Sequence, residues 1–142
     1  MVQDYTAANT FTPRPLTTTG TYRFEVDVRD ASATSSYDAT ASQSYFVSGC
    51  TAATLTPSTP SPHRRGDSIE LTATASCPAT PAFRFLVRAP GGAWRTVQDY
   101  SASNVFAWVP RAAGTYALEV DVRDHGATTA YEAVSDITYS VD

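Results

Sequence analysis

Four aspartates could bind a metal ion, because carboxylate oxygens are ligands that calcium prefers. Asp27 and Asp30 recur as Asp121 and Asp124 in a second copy of the segment Glu-Val-Asp-Val-Arg-Asp. Calcium takes about six to eight oxygen ligands, whereas each copy offers two carboxylates with an arginine between them. We therefore expect turn capping and surface ion pairs at these positions, with a metal site as the weaker alternative.

A second candidate is the string Arg65-Gly66-Asp67-Ser68, which lies in a proline-rich segment. An exposed Arg-Gly-Asp sequence can present an arginine and a metal-coordinating carboxylate to an integrin. Gly-Asp-Ser in front of a strand is also common turn chemistry. Because short motifs often match by chance, we favour the turn.

Aromatic residues offer a third kind of site, since Trp94, Tyr100 and Trp108 could stack on a sugar ring. Trp108 shares its strand parity with Phe106, which predicts that both face a core. Trp94 and Tyr100 then remain as candidates for carbohydrate binding.

The inventory for catalysis is thin. His63 lies in the proline-rich segment and His125 in a predicted turn. Neither falls in a pattern with serine or cysteine that suggests a nucleophile and its base. We predict that the protein is not an enzyme and uses no cofactor.

The chain repeats itself. The string Val-Gln-Asp-Tyr occurs at residues 2–5 and at residues 97–100, and Tyr5 to Phe11 matches Tyr100 to Phe106. Further matches, such as Gly20-Thr-Tyr22 with Gly114-Thr-Tyr116, continue to the end of the chain. Such self-similarity indicates a modular array. Residues 50–96 have no second copy, so we divide the chain into a partial module at 1–49 and a complete one at 50–142.

Strands rather than helices are predicted, because apolar and polar residues alternate in most segments of the complete module. Seven segments have this pattern: 52–57, 69–77, 82–88, 94–100, 104–109, 116–122 and 129–141. In the last, Tyr131, Ala133, Ile137, Tyr139 and Val141 share one face. Seven strands without a helix indicate an all-β, antiparallel immunoglobulin-like sandwich, present here as about one and a half repeats.

Two cysteines, Cys50 and Cys77, lie inside the complete module. Folding the first two strands back on each other places these residues side by side, at a separation that a disulfide accepts. We therefore predict a structural disulfide, which is typical of an oxidising compartment.

The charge of the chain argues against nucleic acid as a partner, and its hydropathy argues against a membrane-spanning helix. All ten basic residues are arginine and the formal net charge is −4, so no basic surface for nucleic acid is expected. No apolar run approaches the ~20 residues of a membrane-spanning helix. We predict no membrane span.

The sequence resembles immunoglobulin-like repeats of large bacterial cell-surface and secreted proteins and, more loosely, PKD and triple-tyrosine modules. The resemblance rests on these stretches: Cys50–Pro57, Leu71–Pro78, Phe83–Phe85, Trp94, Gly114–Tyr116 and Val120–Asp124. Tyr116 and its counterpart Tyr22 stand where such sandwiches place a tyrosine corner. The resemblance implies an extracellular or cell-surface array and no catalytic residues.

The partial module should be unstable alone, because it would expose Tyr22, Phe24, Val26 and Val28 together with a strand edge. We expect its missing strands to come from neighbouring repeats of a longer chain or from another copy. Residues 50–96 could complete either half, which would let copies self-associate. The predicted function is a stalk or filament, with an adhesin module for a carbohydrate or a host receptor as the alternative.

Overall fold

The computed structural model describes residues 3–16 and 18–142, and this part of the chain forms nine β-strands and no helix. The predicted all-β architecture is confirmed. Val2, the first residue of the repeated string, lies outside the described residues. The strands are β1 (Gly20–Val28), β2 (Ala39–Val47), β3 (Ala52–Pro57), β4 (Ile69–Ser76), β5 (Pro81–Arg88), β6 (Trp94–Ser101), β7 (Val105–Trp108), β8 (Gly114–Asp124) and β9 (Ala133–Val141).

Residues 50–142 form a sandwich of two antiparallel sheets. One sheet has the strand order β3-β4-β7 and the other has the order β6-β5-β8-β9. Aromatic side chains join the sheets: the ring centroids of Phe85 and Phe106 lie 5.9 Å apart, and those of Trp108 and Tyr116 lie 5.0 Å apart. Trp108 is buried, as its parity predicted.

The core follows the alternation of the sequence. In β8, Leu118, Val120 and Val122 are fully buried and face the other sheet. Burying a side chain of this size contributes ~1.5–3 kcal/mol, so this alternation is a main source of stability. One expectation was wrong: Tyr131 lies before β9 and is exposed, because residues 125–132 form the connection from β8.

The partial repeat forms the hairpin β1-β2, whose register copies that of β8-β9. Gly20 pairs with Val47 as Gly114 pairs with Val141, and Tyr22 pairs with Tyr45 as Tyr116 pairs with Tyr139. The two copies of the repeated sequence therefore fold into the same hairpin.

Residues 50–96 pair with residues 97–142, as the division into a complete module at 50–142 requires, since β5 lies between β6 and β8. Within the described residues they form no sheet with the partial repeat, which was the alternative pairing. Residues 3–16, which match β6 and β7, form no strand. The physical reason is that β6 pairs with β5 and β7 pairs with β4, and the partial repeat has no counterpart of β4 or β5.

Candidate functional site

An ion pair on the outer face of the complete sandwich links β5 to β8. Arg84 donates to the Asp121 carboxylate from Nε at 3.0 Å and from a terminal nitrogen at 2.5 Å. Asp121 is 2% exposed, and its hydrogen bonds raise the pKa of Arg84. The prediction of a surface ion pair with the neighbouring arginine was therefore wrong for Asp121, because Arg84 reaches it across the sheet.

Tyr100 completes this outer cluster. The guanidinium carbon of Arg123 lies 3.9 Å from the centroid of the Tyr100 ring, and that of Arg84 lies 4.9 Å from it. The Tyr100 hydroxyl donates to the carbonyl oxygen of Ala130. Burial raises the pKa of Tyr100. We define the outer cluster as Arg84, Tyr100, Asp121 and Arg123.

The partial repeat reproduces three of these four residues. Arg29 lies over the ring of Tyr5, with its guanidinium carbon 4.2 Å from the ring centroid. The Tyr5 hydroxyl donates to the carbonyl oxygen of Ser36, as Tyr100 donates to Ala130. Asp27 holds the position of Asp121 but is exposed. The counterpart of Arg84 would lie on a strand that the partial repeat does not contain.

The inner faces of the two hairpins also differ in how far their apolar side chains are exposed. Val26 is 57% exposed and Tyr45 is 59% exposed, whereas their counterparts Val120 and Tyr139 are 0% and 1% exposed. The same types of side chain therefore form a buried core in one hairpin and an exposed apolar surface in the other.

A groove runs along this open surface. Its volume is about 630 Å³, and its lining includes Pro13, Leu16, Phe24, Tyr45 and Pro78. In the complete module the corresponding inner face is covered by the sheet of β3, β4 and β7. We call the unpaired edge of β1, its inner face and Asp27 the open half repeat.

A compact group of contacts, which we call the joint, lies where the partial repeat meets the complete module. Thr19 belongs to the partial repeat, whereas Cys50, Asp124 and Glu132 belong to the complete module. Glu132 accepts hydrogen bonds from the backbone N–H groups of Cys50 at 3.0 Å and Asp124 at 2.9 Å. The Thr19 hydroxyl donates to the Asp124 carboxylate at 3.1 Å. Burial opposes ionisation of Glu132, but the backbone donors of Cys50 and Asp124, together with Thr19 and the charge of Arg123, lower the pKa of this carboxyl overall.

Space at the joint is restricted at Gly49. A Cβ atom at this position would lie 2.3 Å from the carboxyl carbon of Glu132. Any larger residue would therefore displace the carboxylate that bonds both Cys50 and Asp124. Asp124 is 0% exposed, so its predicted place at the surface was also wrong.

The partial repeat carries a similar arrangement at its far end. Asp38 accepts from the backbone N–H of Asp30 at 2.8 Å, as Glu132 accepts from that of Asp124. Hydrogen bonds lower the pKa of both aspartates, for Asp30 first from the Ser32 backbone and for Asp38 first from the Asp30 backbone. Asp30 and Asp38 are both exposed. In the complete module the corresponding Asp124 contacts Thr19 of the partial repeat, whereas this end of the partial repeat is uncovered.

The structure places Arg65, Gly66 and Asp67 in an exposed turn. Gly66 has a φ of 90°, a value that favours glycine, and its N–H donates to the carbonyl of Pro110 at 2.8 Å. Asp67 pairs with Nε2 of His63 at 3.3 Å.

The two sugar-stacking candidates lie on β6 and already contact arginines. Arg88 lies over the Trp94 ring, with its guanidinium carbon 5.0 Å from the centroid, and Tyr100 belongs to the outer cluster. Trp94 remains 36% exposed.

Cys50 and Cys77 form a disulfide with a Cα separation of 4.0 Å. At the two proposed tyrosine corners, the Tyr116 hydroxyl donates to the Ala112 carbonyl at 2.9 Å and that of Tyr22 donates to the Thr18 carbonyl at 3.0 Å.

Within the described ranges, one group of three potential metal ligands lies close together, formed by Cys50, Cys77 and Asp124. Both sulfur atoms are consumed by the disulfide, so a single carboxylate remains. This group carries no metal-site argument.

Sequence reasoning missed Arg84, Glu132 and Thr19 as contact residues. Glu132 had a signal, because aligning the repeats sets it against another acid, Asp38. Arg84 had none, since its segment occurs once.

Searches of protein-family models and of curated proteins found no match to this sequence. The described residues also contain no helix long and apolar enough to cross a membrane.

Proposed function

We propose that the chain is a non-enzymatic, extracellular structural module that builds a stalk or filament by associating through the open half repeat. The proposal is supported most directly by one observation. The same hairpin is covered by a second sheet in one copy and uncovered in the other.

Exposed apolar side chains and an unpaired strand edge both make association of this hairpin favourable in water. Val26, Val28 and Tyr45 on the inner face are each more than half exposed. Burying side chains of this kind contributes roughly 1.5–3 kcal/mol each, so association that covers the inner face is favourable. The unpaired edge of β1 adds a row of backbone donors and acceptors that another strand can use.

The joint favours a fixed over a flexible arrangement of the repeats. The Thr19 hydroxyl of the partial repeat bonds the Asp124 carboxylate of the complete module, and Glu132 and the disulfide brace Cys50 at the start of that module. A stalk needs such fixed junctions. The disulfide also fits an oxidising extracellular environment.

Negative-stain electron microscopy and mass photometry of the purified chain test this function. We expect oligomers or filaments at high concentration, and we expect Val26→Asp to shift the population towards monomers. Val97→Asp is the matched control, because Val97 is also exposed but lies on β6 of the complete module. A monodisperse monomer at high concentration would contradict the proposal.

The rival function, binding of a carbohydrate or host receptor, is favoured only by the exposure of Trp94. Glycan binding that disappears in Trp94→Ala, with the chain remaining monomeric, would favour that rival.

A further inference from the structure

We propose that the unpaired edge of β1 accepts an antiparallel strand with the chemistry of residues 81–88, and that an arginine on this strand pairs with Asp27. The inference deepens the proposed function and rests on it for its biological meaning. Its physical basis is the antiparallel pairing of β5 with β8 in the complete module.

The register of the proposed strand follows from that of the complete module. There, Phe83 faces Val122, Arg84 faces Asp121 and Phe85 faces Val120. Because β1-β2 and β8-β9 share one register, the corresponding partners on β1 are Val28, Asp27 and Val26. A strand in this register would place a phenylalanine beside each of the two exposed valines.

Charge selects the occupant. Asp27 is exposed, whereas Asp121 in the same position is buried under Arg84. Tyr5 and Arg29 already take the arrangement of Tyr100 and Arg123. The partial repeat thus holds every member of the outer cluster except the arginine of the absent strand.

An aromatic contact adds a second requirement. Phe106 stacks on Phe85 of β5, and its counterpart in the partial repeat, Phe11, is 45% exposed. A phenylalanine one position after the arginine would meet Phe11 if that segment takes the place of β7. The recognised pattern is therefore apolar residues in alternation, with Phe-Arg-Phe at the centre.

Exchange between identical chains does not supply this strand, so its source is an additional repeat unit. Self-association of identical chains through the open half repeat would instead cover the inner faces of their β1-β2 hairpins without exchanging strands. Each chain has two hairpins of the β8-β9 type and a single segment with β3, β4 and β5. That segment is already built into the core and closed by the Cys50–Cys77 disulfide. Donating it would open one hairpin for each hairpin that it completes, so exchange yields no net gain in buried surface.

The test uses the full chain and a synthetic peptide of residues 81–88, Pro-Ala-Phe-Arg-Phe-Leu-Val-Arg. Binding is measured by fluorescence anisotropy, and hydrogen exchange locates the site. We expect slower exchange in residues 20–28 and no change in residues 114–124. Protection confined to 114–124, or binding without protection of β1, would overturn the proposal.

A charge exchange tests the register. We expect Asp27→Arg to weaken peptide binding by about tenfold or more, because a hydrogen-bonded charge pair is replaced by repulsion. A peptide carrying Arg84→Glu should bind the Asp27→Arg chain better than it binds the natural chain. Asp136→Arg, the same charge change at an exposed position of β9, should leave binding unchanged. Binding that is insensitive to Asp27 would refute the assigned pairing.

The outcomes separate this inference from the proposed function. A monomeric chain that binds the peptide through Asp27 would sustain the strand site and remove self-assembly. Oligomers or filaments of a chain that fails to bind the peptide would sustain assembly and remove the strand site.

Discussion

Asp27 and Asp121 have the same neighbours in sequence, yet one is exposed and the other is buried. The difference arises from Arg84, which is distant in sequence but lies on β5, directly opposite Asp121 on β8. A carboxylate is buried at low cost only when it is paired and hydrogen-bonded. At the residue scale, the role of an acid therefore depends on whether its partner strand is present.

Glu132 should give the joint a measurable pH dependence. Its pKa is lowered in the folded chain, so its contribution to stability is present above the unfolded pKa and is lost as pH falls through the folded pKa. We expect Glu132→Gln to lose less stability than the natural chain when the pH falls from ~5 to ~3, a window that extends from the ordinary glutamate pKa to below it.

Urea unfolding at several pH values measures this effect. Glu70→Gln is the matched control, because Glu70 is an exposed glutamate on β4. Identical pH profiles for the natural chain and Glu132→Gln would show that the joint does not depend on this charge.

At the element scale, we expect two hairpins of one register to differ in stability, because only one is packed against a second sheet. We expect Val120→Ala to lower the free energy of unfolding of the complete module by ~2–3 kcal/mol, from lost burial and the cavity left behind. In the dilute monomer, Val26→Ala should change stability by less than ~0.5 kcal/mol, as is usual at exposed positions. Thermal and urea unfolding measure both variants; comparable losses would contradict the assigned burial.

The first two strands of the sandwich rely on a covalent link. The Cys50–Cys77 disulfide closes a loop with a sequence separation of 27. By the loop-entropy model, we expect the Cys50→Ala/Cys77→Ala double variant to be less stable by roughly 3–4 kcal/mol. A loss below ~1 kcal/mol would mean that the reduced, unfolded chain retains structure in this loop.

The elements of the complete module were largely predictable from sequence. Alternation located all seven strands of residues 50–142, since burial of one sheet face imposes a period of two. The strand expected from residue 129 begins at Ala133, because the β8–β9 connection reaches beyond Tyr131. The partial repeat was less predictable: residues 3–16 carry the pattern of β6 and β7 but have no strands to pair with.

Candidate site residues were likewise predictable where they depend on local sequence and were not where they depend on contacts between distant segments. Local features, such as the turn at Gly66 and the cysteine pair, were visible in short stretches of sequence. The outer cluster and the joint depend on contacts between distant segments, such as Glu132 with Cys50. Alternation alone carries no information about which segments meet.

At the scale of the whole molecule, we expect the joint to govern how firmly the complete module is fixed to the partial repeat. We expect Gly49→Ala to displace the Glu132 carboxylate and so to speed hydrogen exchange at the Cys50 and Asp124 amides. Gly92→Ala is the control, because a Cβ atom there lies 3.4 Å from the nearest atom and far from Glu132. Unchanged exchange at both amides would show that the joint tolerates the extra methyl group.

Hydrogen exchange of the two hairpins, compared at low and high protein concentration, shows whether association covers the open half repeat. We expect β1 and β2 to exchange much faster than β8 and β9 in the dilute monomer and to become protected as the chain associates. Equal protection of both hairpins in the monomer, or fast exchange of β1 and β2 that persists in the assembled form, would contradict this expectation.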